Sequence, residues 1–149
     1  MKSDFVKEWV ERGKNEKNYV YQFFCYFIAF NWLYNCESNA YEYKRIAEYV
    51  KKQISKWNNY DPFLFLREDW KNPVQDARTG KIKDYIIKEK DKIIQLFLQI
   101  YQVRCNLFHG SKSMMNDRNR VLVEDSCKVL CDFLNRIIND VWEGDDYAS

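Results

Sequence analysis

Arg104 and His109 stand at the end of a long apolar-periodic segment, in the run VRCNLFHGSK from Val103 to Lys112, and His109 is the only histidine of the chain. An arginine guanidinium stays charged at any working pH and grips a phosphate as a planar fork. A histidine is the one side chain whose ordinary pKa lets it take and give protons near neutrality. With four residues between them, the two can point to the same end of a helix, and Gly110 offers the left-handed position that commonly closes one. A phosphate clamp beside a proton shuttle is the equipment of phosphodiester chemistry. Each residue also has a plainer explanation. Arg104 continues an apolar stripe, which an arginine does only with a partner, either a buried carboxylate or helix-end carbonyls on one account or a substrate phosphate on the other. A histidine at a helix C-terminus is favoured by the helix dipole in any case.

The elements that must position these residues are helical. Among 149 residues, 46% are hydrophobic and 17% aromatic, with only four glycines and two prolines, too few for the turn chemistry of a sheet protein. The length suits one domain spanning 1–149 with its own core. Four helices are expected. The first runs from about Phe5 or Asn18 to Asn35, with Tyr19, Phe23, Tyr26, Phe27, Phe30 and Tyr34 at helical spacing. Asn31 falls on that face, so its amide either bridges to a neighbouring helix or faces the active site. Ser38 is the expected N-cap of a second helix reaching about Trp57, with Tyr43, Ile46, Ala47, Val50 and Ile54 inward. The third runs from about Ile82 to Phe108, and Ile86, Ile93, Phe97, Ile100, Tyr101, Arg104 and Phe108 share one side of it. Asp117 is expected to cap the fourth, which ends near Trp142 and carries a packing seam at Val123, Cys127, Leu130, Leu134, Ile137 and Val141. The fold class is therefore all-α, an antiparallel four-helix bundle. Residues 58–81, punctuated by Pro62, Pro73 and Gly80, form a long irregular or short-helix insertion between the second and third helices. Phe63, Leu64, Phe65, Leu66 and Trp70 are too apolar for a free loop and predict a short helix, a lid over the bundle or a partner surface.

The Arg104–His109 run in this helical setting resembles the HEPN superfamily, whose members carry an arginine, four to six residues, and a histidine at a helix end. A second segment, Phe30-Asn31-Trp32-Leu33-Tyr34 (FNWLY), resembles the first-helix signature of the small stand-alone bacterial members. The resemblance implies a metal-independent endoribonuclease of toxin–antitoxin or anti-phage type, its site formed between two motifs across a homodimer axis. Cleavage by the RNA's own 2′-hydroxyl needs a base, an acid and positive charge on the phosphorane, and a symmetric dimer supplies two histidines and two arginines. The catalytic residues are then Arg104 and His109. Asn106 would contact the phosphate or orient His109, Lys112 would hold an adjacent phosphate, and Asn31 is a candidate for substrate contact. Cys105 stands where many members carry a polar residue, and Ser111 stands where members paired with nucleotidyltransferase antitoxins carry a tyrosine, so modification by that partner is not implied. Some members keep the fold without activity, which makes a non-catalytic helical dimer binding nucleotide, RNA or protein the alternative.

The expected partners are RNA, a second copy of the chain and an antitoxin or other defence-system protein, with no cofactor and no metal. The net charge of +2 does not announce a nucleic-acid binder, but residues 81–120 carry nine Lys/Arg against four Asp/Glu. Cys25, Cys36, Cys105, Cys127 and Cys131 include no CxxC pair and read as reduced small hydrophobes. A cytoplasmic location is expected: residues 1–18 mix charges without an apolar signal core, and Tyr19 to Tyr34 is short for a membrane span and interrupted by Gln22 and Asn31.

Overall fold

The computed structural model describes residues 2–35, 40–109 and 116–148, with side chains between 4 and 140. Among these residues all regular structure is helical: α1 (Lys2–Asn15), α2 (Tyr19–Tyr34), α3 (Glu42–Ile54), α4 (Asp84–Lys88), α5 (Lys92–Phe108) and α6 (Asp117–Ala148), with two 3-10 turns at Pro62–Phe65 and Glu68–Lys71. No helix among them is long and apolar enough to cross a membrane.

Two of the expected helices are each divided, and in both cases a capping side chain makes the break. The first becomes α1 and α2. Asn18 accepts hydrogen bonds from the backbone N–H groups of Val20 (2.9 Å) and Tyr21 (3.2 Å), which starts a new helix there. Gly13, near the end of α1, lets the ring of Tyr26 lie against its backbone, and Gln22 Nε2 donates to the Gly13 carbonyl at 2.9 Å. The expected third helix becomes α4 and α5, because Asp91 caps the N–H groups of Ile93 (2.9 Å) and Ile94 (3.2 Å). Ser38 lies outside the described residues, and α3 begins at Glu42 with Tyr41 in the cap position. At the start of α6 the capping side chain is Asn116, one residue before Asp117, with Arg118 N–H donating to it at 2.7 Å. This last helix continues past Trp142 to Ala148.

The core is joined by aromatic rings. Phe30 of α2 lies 5.6 Å from Phe97 of α5, 5.7 Å from Phe133 of α6 and 6.5 Å from Tyr49 of α3, so four helices each deliver a ring to one knot. Phe30, Phe97 and Phe133 are fully buried, and such rings dominate core energetics through area and edge-to-face contact. α2 packs against both α1 and α6, while α3 packs along α5.

Residues 58–83 form a strap across α6 and α5. Asp125 of α6, buried with no exposed surface, accepts from the Arg67 backbone N–H (2.8 Å), Arg67 Nε (3.0 Å) and Trp70 Nε1 (3.2 Å). Arg118 reaches back to the carbonyls of Asp69 and Asn72. The strap then crosses to α5, where Gln99 accepts from Val74 N–H at 2.9 Å. Its apolar residues divide: Phe65, Leu66 and Trp70 pack on the core, while Leu64 is 82% exposed.

Candidate functional site

The last two turns of α5 present two faces. Positions 104 and 106 are two apart on a helix and so point in nearly opposite directions, and the structure uses them for different ends.

Arg104 faces α2 and α3. Its guanidinium lies 5.4 Å from the ring of Phe27, 5.9 Å from Tyr101 and 4.7 Å from Phe108, an aromatic bed that favours a cation. One nitrogen is 3.7 Å from Oε1 of Glu42. Glu42 is the centre of a polar cluster that sequence reading did not single out. Its Oε2 accepts from Tyr34 Oη at 2.5 Å and Asn31 Nδ2 at 3.2 Å, and its Oε1 accepts from Tyr101 Oη at 3.0 Å. Asn31 also donates to Tyr34 Oη at 2.7 Å and accepts from Asn35. Burial, and then the bond to Glu42, pushes the Tyr34 phenol well above its ordinary pKa; burial does the same for Tyr101, helped by the neighbouring Cys105 and Glu42. Both phenols are therefore fixed as donors. The available signal for Glu42 was its place in the first turn of a strongly amphipathic helix, which many surface glutamates share.

Asn106 faces the strap. Its Nδ2 donates to the Gln75 carbonyl, and its Oδ1 accepts from Ala77 N–H and Gln102 Nε2, all at 2.9 Å. The amide thus pins the strap to α5 and points away from Arg104. Nearby, Asp76 is buried, accepts from Arg78 N–H at 2.9 Å and lies 3.2 Å from Lys83 Nζ. The backbone bond, then the Lys83 and Arg78 charges, outweigh burial and hold its carboxyl below the ordinary range. On this side a cleft of about 570 Å³ is lined by Val74, Asp76, Asn106, Leu107, Arg118 and Leu122 among others. Neither Arg104 nor His109 lines it.

His109 occupies the C-cap position of α5, its N–H bonded to the Cys105 carbonyl at 3.2 Å, and its side chain is exposed. Phe108, expected on the apolar side, is instead 62% exposed beside it and lies 5.3 Å from Phe24. Arg104 and His109 are therefore at one helix end, as their spacing requires, with Asn31 reaching the Arg104 cluster through Glu42. Gly110, Ser111 and Lys112 lie outside the described residues, as does Cys36. Burial raises the thiol pKa of Cys25, Cys105 and Cys127, which disfavours the reactive thiolate. Among the described residues, no group of three or more His, Cys, Asp or Glu is placed to hold a metal ion. No protein-family model, curated protein or solved structure matches the chain.

Proposed function

We propose that this chain is a HEPN-type, metal-independent endoribonuclease that works as a homodimer. The observation that carries the reading is the setting of Arg104. Glu42 already receives three neutral donors, from Asn31, Tyr34 and Tyr101, so Arg104 is not needed to satisfy its oxygens. A guanidinium held on three aromatic rings, 3.7 Å from a carboxylate that others solvate, keeps N–H groups for an incoming anion. His109 stands at the same helix end, exposed, with Phe108 exposed beside it. An exposed aromatic next to the only histidine suits a two-fold contact that brings two such ends together.

In the reaction, one copy of His109 takes the proton of the 2′-hydroxyl as its oxygen bonds to phosphorus. The second copy protonates the 5′-oxygen as the P–O5′ bond breaks, leaving a 2′,3′-cyclic phosphate and a 5′-hydroxyl. Arg104 from each chain offsets the charge that builds on the phosphorane oxygens. Glu42, with Asn31, Tyr34 and Tyr101 behind it, fixes the direction of Arg104. On this reading α2, α3, α5 and α6 are the four antiparallel helices of the bundle, α1 is an N-terminal addition, and Lys112 is a candidate for a flanking phosphate. An antitoxin or other defence-system protein and a cytoplasmic setting belong to the same reading.

The test is RNA cleavage in EDTA by wild type and His109→Ala. Wild type should cut and leave 2′,3′-cyclic ends, and the variant should lose roughly 10²- to 10⁴-fold, the usual contribution of general acid–base catalysis. Equal cleavage by both removes His109 from the reaction. One observation favours a second reading, a non-catalytic dimer: Glu42 gives Arg104 a protein partner. It leads if wild type cuts no RNA and Arg104→Ala weakens self-association or nucleotide binding.

A further inference from the structure

The first turn of α3 carries a second feature beside Glu42. Tyr41, Tyr43 and Tyr85 form a continuous stack: the planes of Tyr41 and Tyr43 are within 4° with centroids 6.0 Å apart, and those of Tyr43 and Tyr85 within 5° at 4.2 Å. Tyr43 and Tyr85 are partly buried against the core, so the inner rings are fixed. Tyr41 is 71% exposed.

The arrangement is unusual for residues i and i+2, which do not share a helix face. It is possible because Tyr41 is not in the helix. It occupies the cap position, with φ −54° and ψ 151°, and swings over Tyr43. A tyrosine is a poor choice there: its own side chain makes no capping hydrogen bond to the first N–H groups of α3, where serine, aspartate or asparagine would. The position therefore gives up a cap and exposes a large ring, and neither helps the fold. What it gains is a ring held parallel to two anchored ones, with Lys44 Nζ 5.8 Å from its centroid. One residue away, Glu42 contacts Arg104.

An exposed ring held parallel to two anchored ones, a cation over it, and Arg104 in contact with the next residue, Glu42, match one ligand chemistry, a single-stranded nucleic acid, whose bases stack on such rings while cations track the backbone. We infer that the Tyr41–Tyr43–Tyr85 stack is a base platform, on which a nucleobase adjoining the phosphate at Arg104 stacks against Tyr41 while Lys44 meets a neighbouring phosphate. The inference rests on Arg104 being a phosphate clamp and adds where the substrate lies.

The experiment uses full-length His109→Ala, which leaves the probe whole, and two labelled single-stranded ribo-oligomers of equal length, one with bases and one abasic. Anisotropy titrations should show tighter binding of the base-bearing strand. Tyr41→Ala should weaken that strand roughly five- to hundredfold, the range for removing one base–aromatic stack. It should barely change the abasic strand or the salt dependence, and Tyr41→Phe should bind like the parent. An unchanged ratio of the two affinities in Tyr41→Ala, or no binding of either strand, overturns the platform. An unchanged ratio with lost self-association gives the stack to a protein interface and overturns it as well. The two readings separate cleanly. Cleavage by wild type with an unchanged ratio keeps the nuclease and removes the platform, whereas a Tyr41-dependent preference for bases in a protein that cuts nothing does the reverse.

Discussion

At the scale of single residues, Glu42 governs what Arg104 can do. Its carboxylate lies 3.7 Å from the guanidinium and, in the proposed nuclease, both orients it and competes with a substrate phosphate for it. Glu42→Gln keeps an acceptor for one of the two phenols and removes the competing charge, so RNA should bind more tightly while the clamp is less well directed. Steady-state kinetics should then give a lower KM together with a lower kcat, the pattern of a lost orienting contact and a relieved ground-state competition. Glu42→Ala is harsher. It leaves Tyr34, Tyr101 and Asn31 without their shared acceptor, and Tyr34 is fully buried. Unsatisfied buried donors are expensive, and a loss of about 2–4 kcal/mol in urea unfolding is expected. The pair Arg104 and His109 was legible in the sequence because it is local, two special side chains about one turn apart. The partner was not, since Tyr101 and Glu42 are 59 residues apart and nothing within a helical repeat distinguishes this glutamate from those that only face water. Asn106 was legible as a polar residue near the motif, but its direction depends on the strap it binds.

At the scale of elements, the apolar periodicities of the chain were sufficient to find helices and insufficient to divide them. The breaks before α2 and α5 rest on Asn18 and Asp91, polar residues that also sit comfortably on a solvated helix face, so only the cap geometry distinguishes the two uses. Gly13 shows the same limit from the other side. Replacing glycine by alanine inside a helix normally helps it by up to about 1 kcal/mol. Here a Cβ would lie 2.4 Å from a ring carbon of the buried Tyr26. Gly13→Ala should therefore destabilise the protein by about 1–3 kcal/mol in spite of propensity, with α1 parting from α2. The strap gives a second test. Asp125→Ala removes the acceptor shared by Arg67 and Trp70, while the half-exposed Arg67 guanidinium keeps Glu124 at 2.9 Å. A loss of about 1–3 kcal/mol is expected, from the donors left without an acceptor. Limited proteolysis should then cut within residues 58–83 well before any helix.

At the scale of the whole molecule, the rings that join the helices also set its tolerance of base. Burial raises the phenol pKa of Tyr26, Tyr34, Tyr60, Tyr85 and Tyr101 above the ordinary value of 10.0. A phenol that holds its proton more tightly when folded contributes nothing to pH dependence below 10, because both states are then protonated. Above 10 the unfolded chain ionises first, and stability falls as pH rises toward the folded-state values. Denaturation midpoints should begin to fall near pH 9, where the thiols of Cys25, Cys105 and Cys127 ionise first in the unfolded chain, and drop more steeply above pH 10, with phenolate absorbance for these rings appearing together with unfolding. The carboxyl of Asp76 gives the opposite edge: its lowered pKa stabilises above the ordinary carboxylate range, and the contribution disappears as pH falls through the folded value. The strap, finally, has a consequence for the order in which the chain assembles. Its bonds join residues 58, 25 and 29 positions apart, to Asp125, Gln99 and Asn106. Contacts that close such loops come late, because the chain entropy must be given up before the bonds reward it. Asp125 is also the last of these anchors to leave a ribosome. The segment bound by Asp125 therefore reaches its place only after α6 has been made, whereas the stretch that Asn106 holds needs α5 alone.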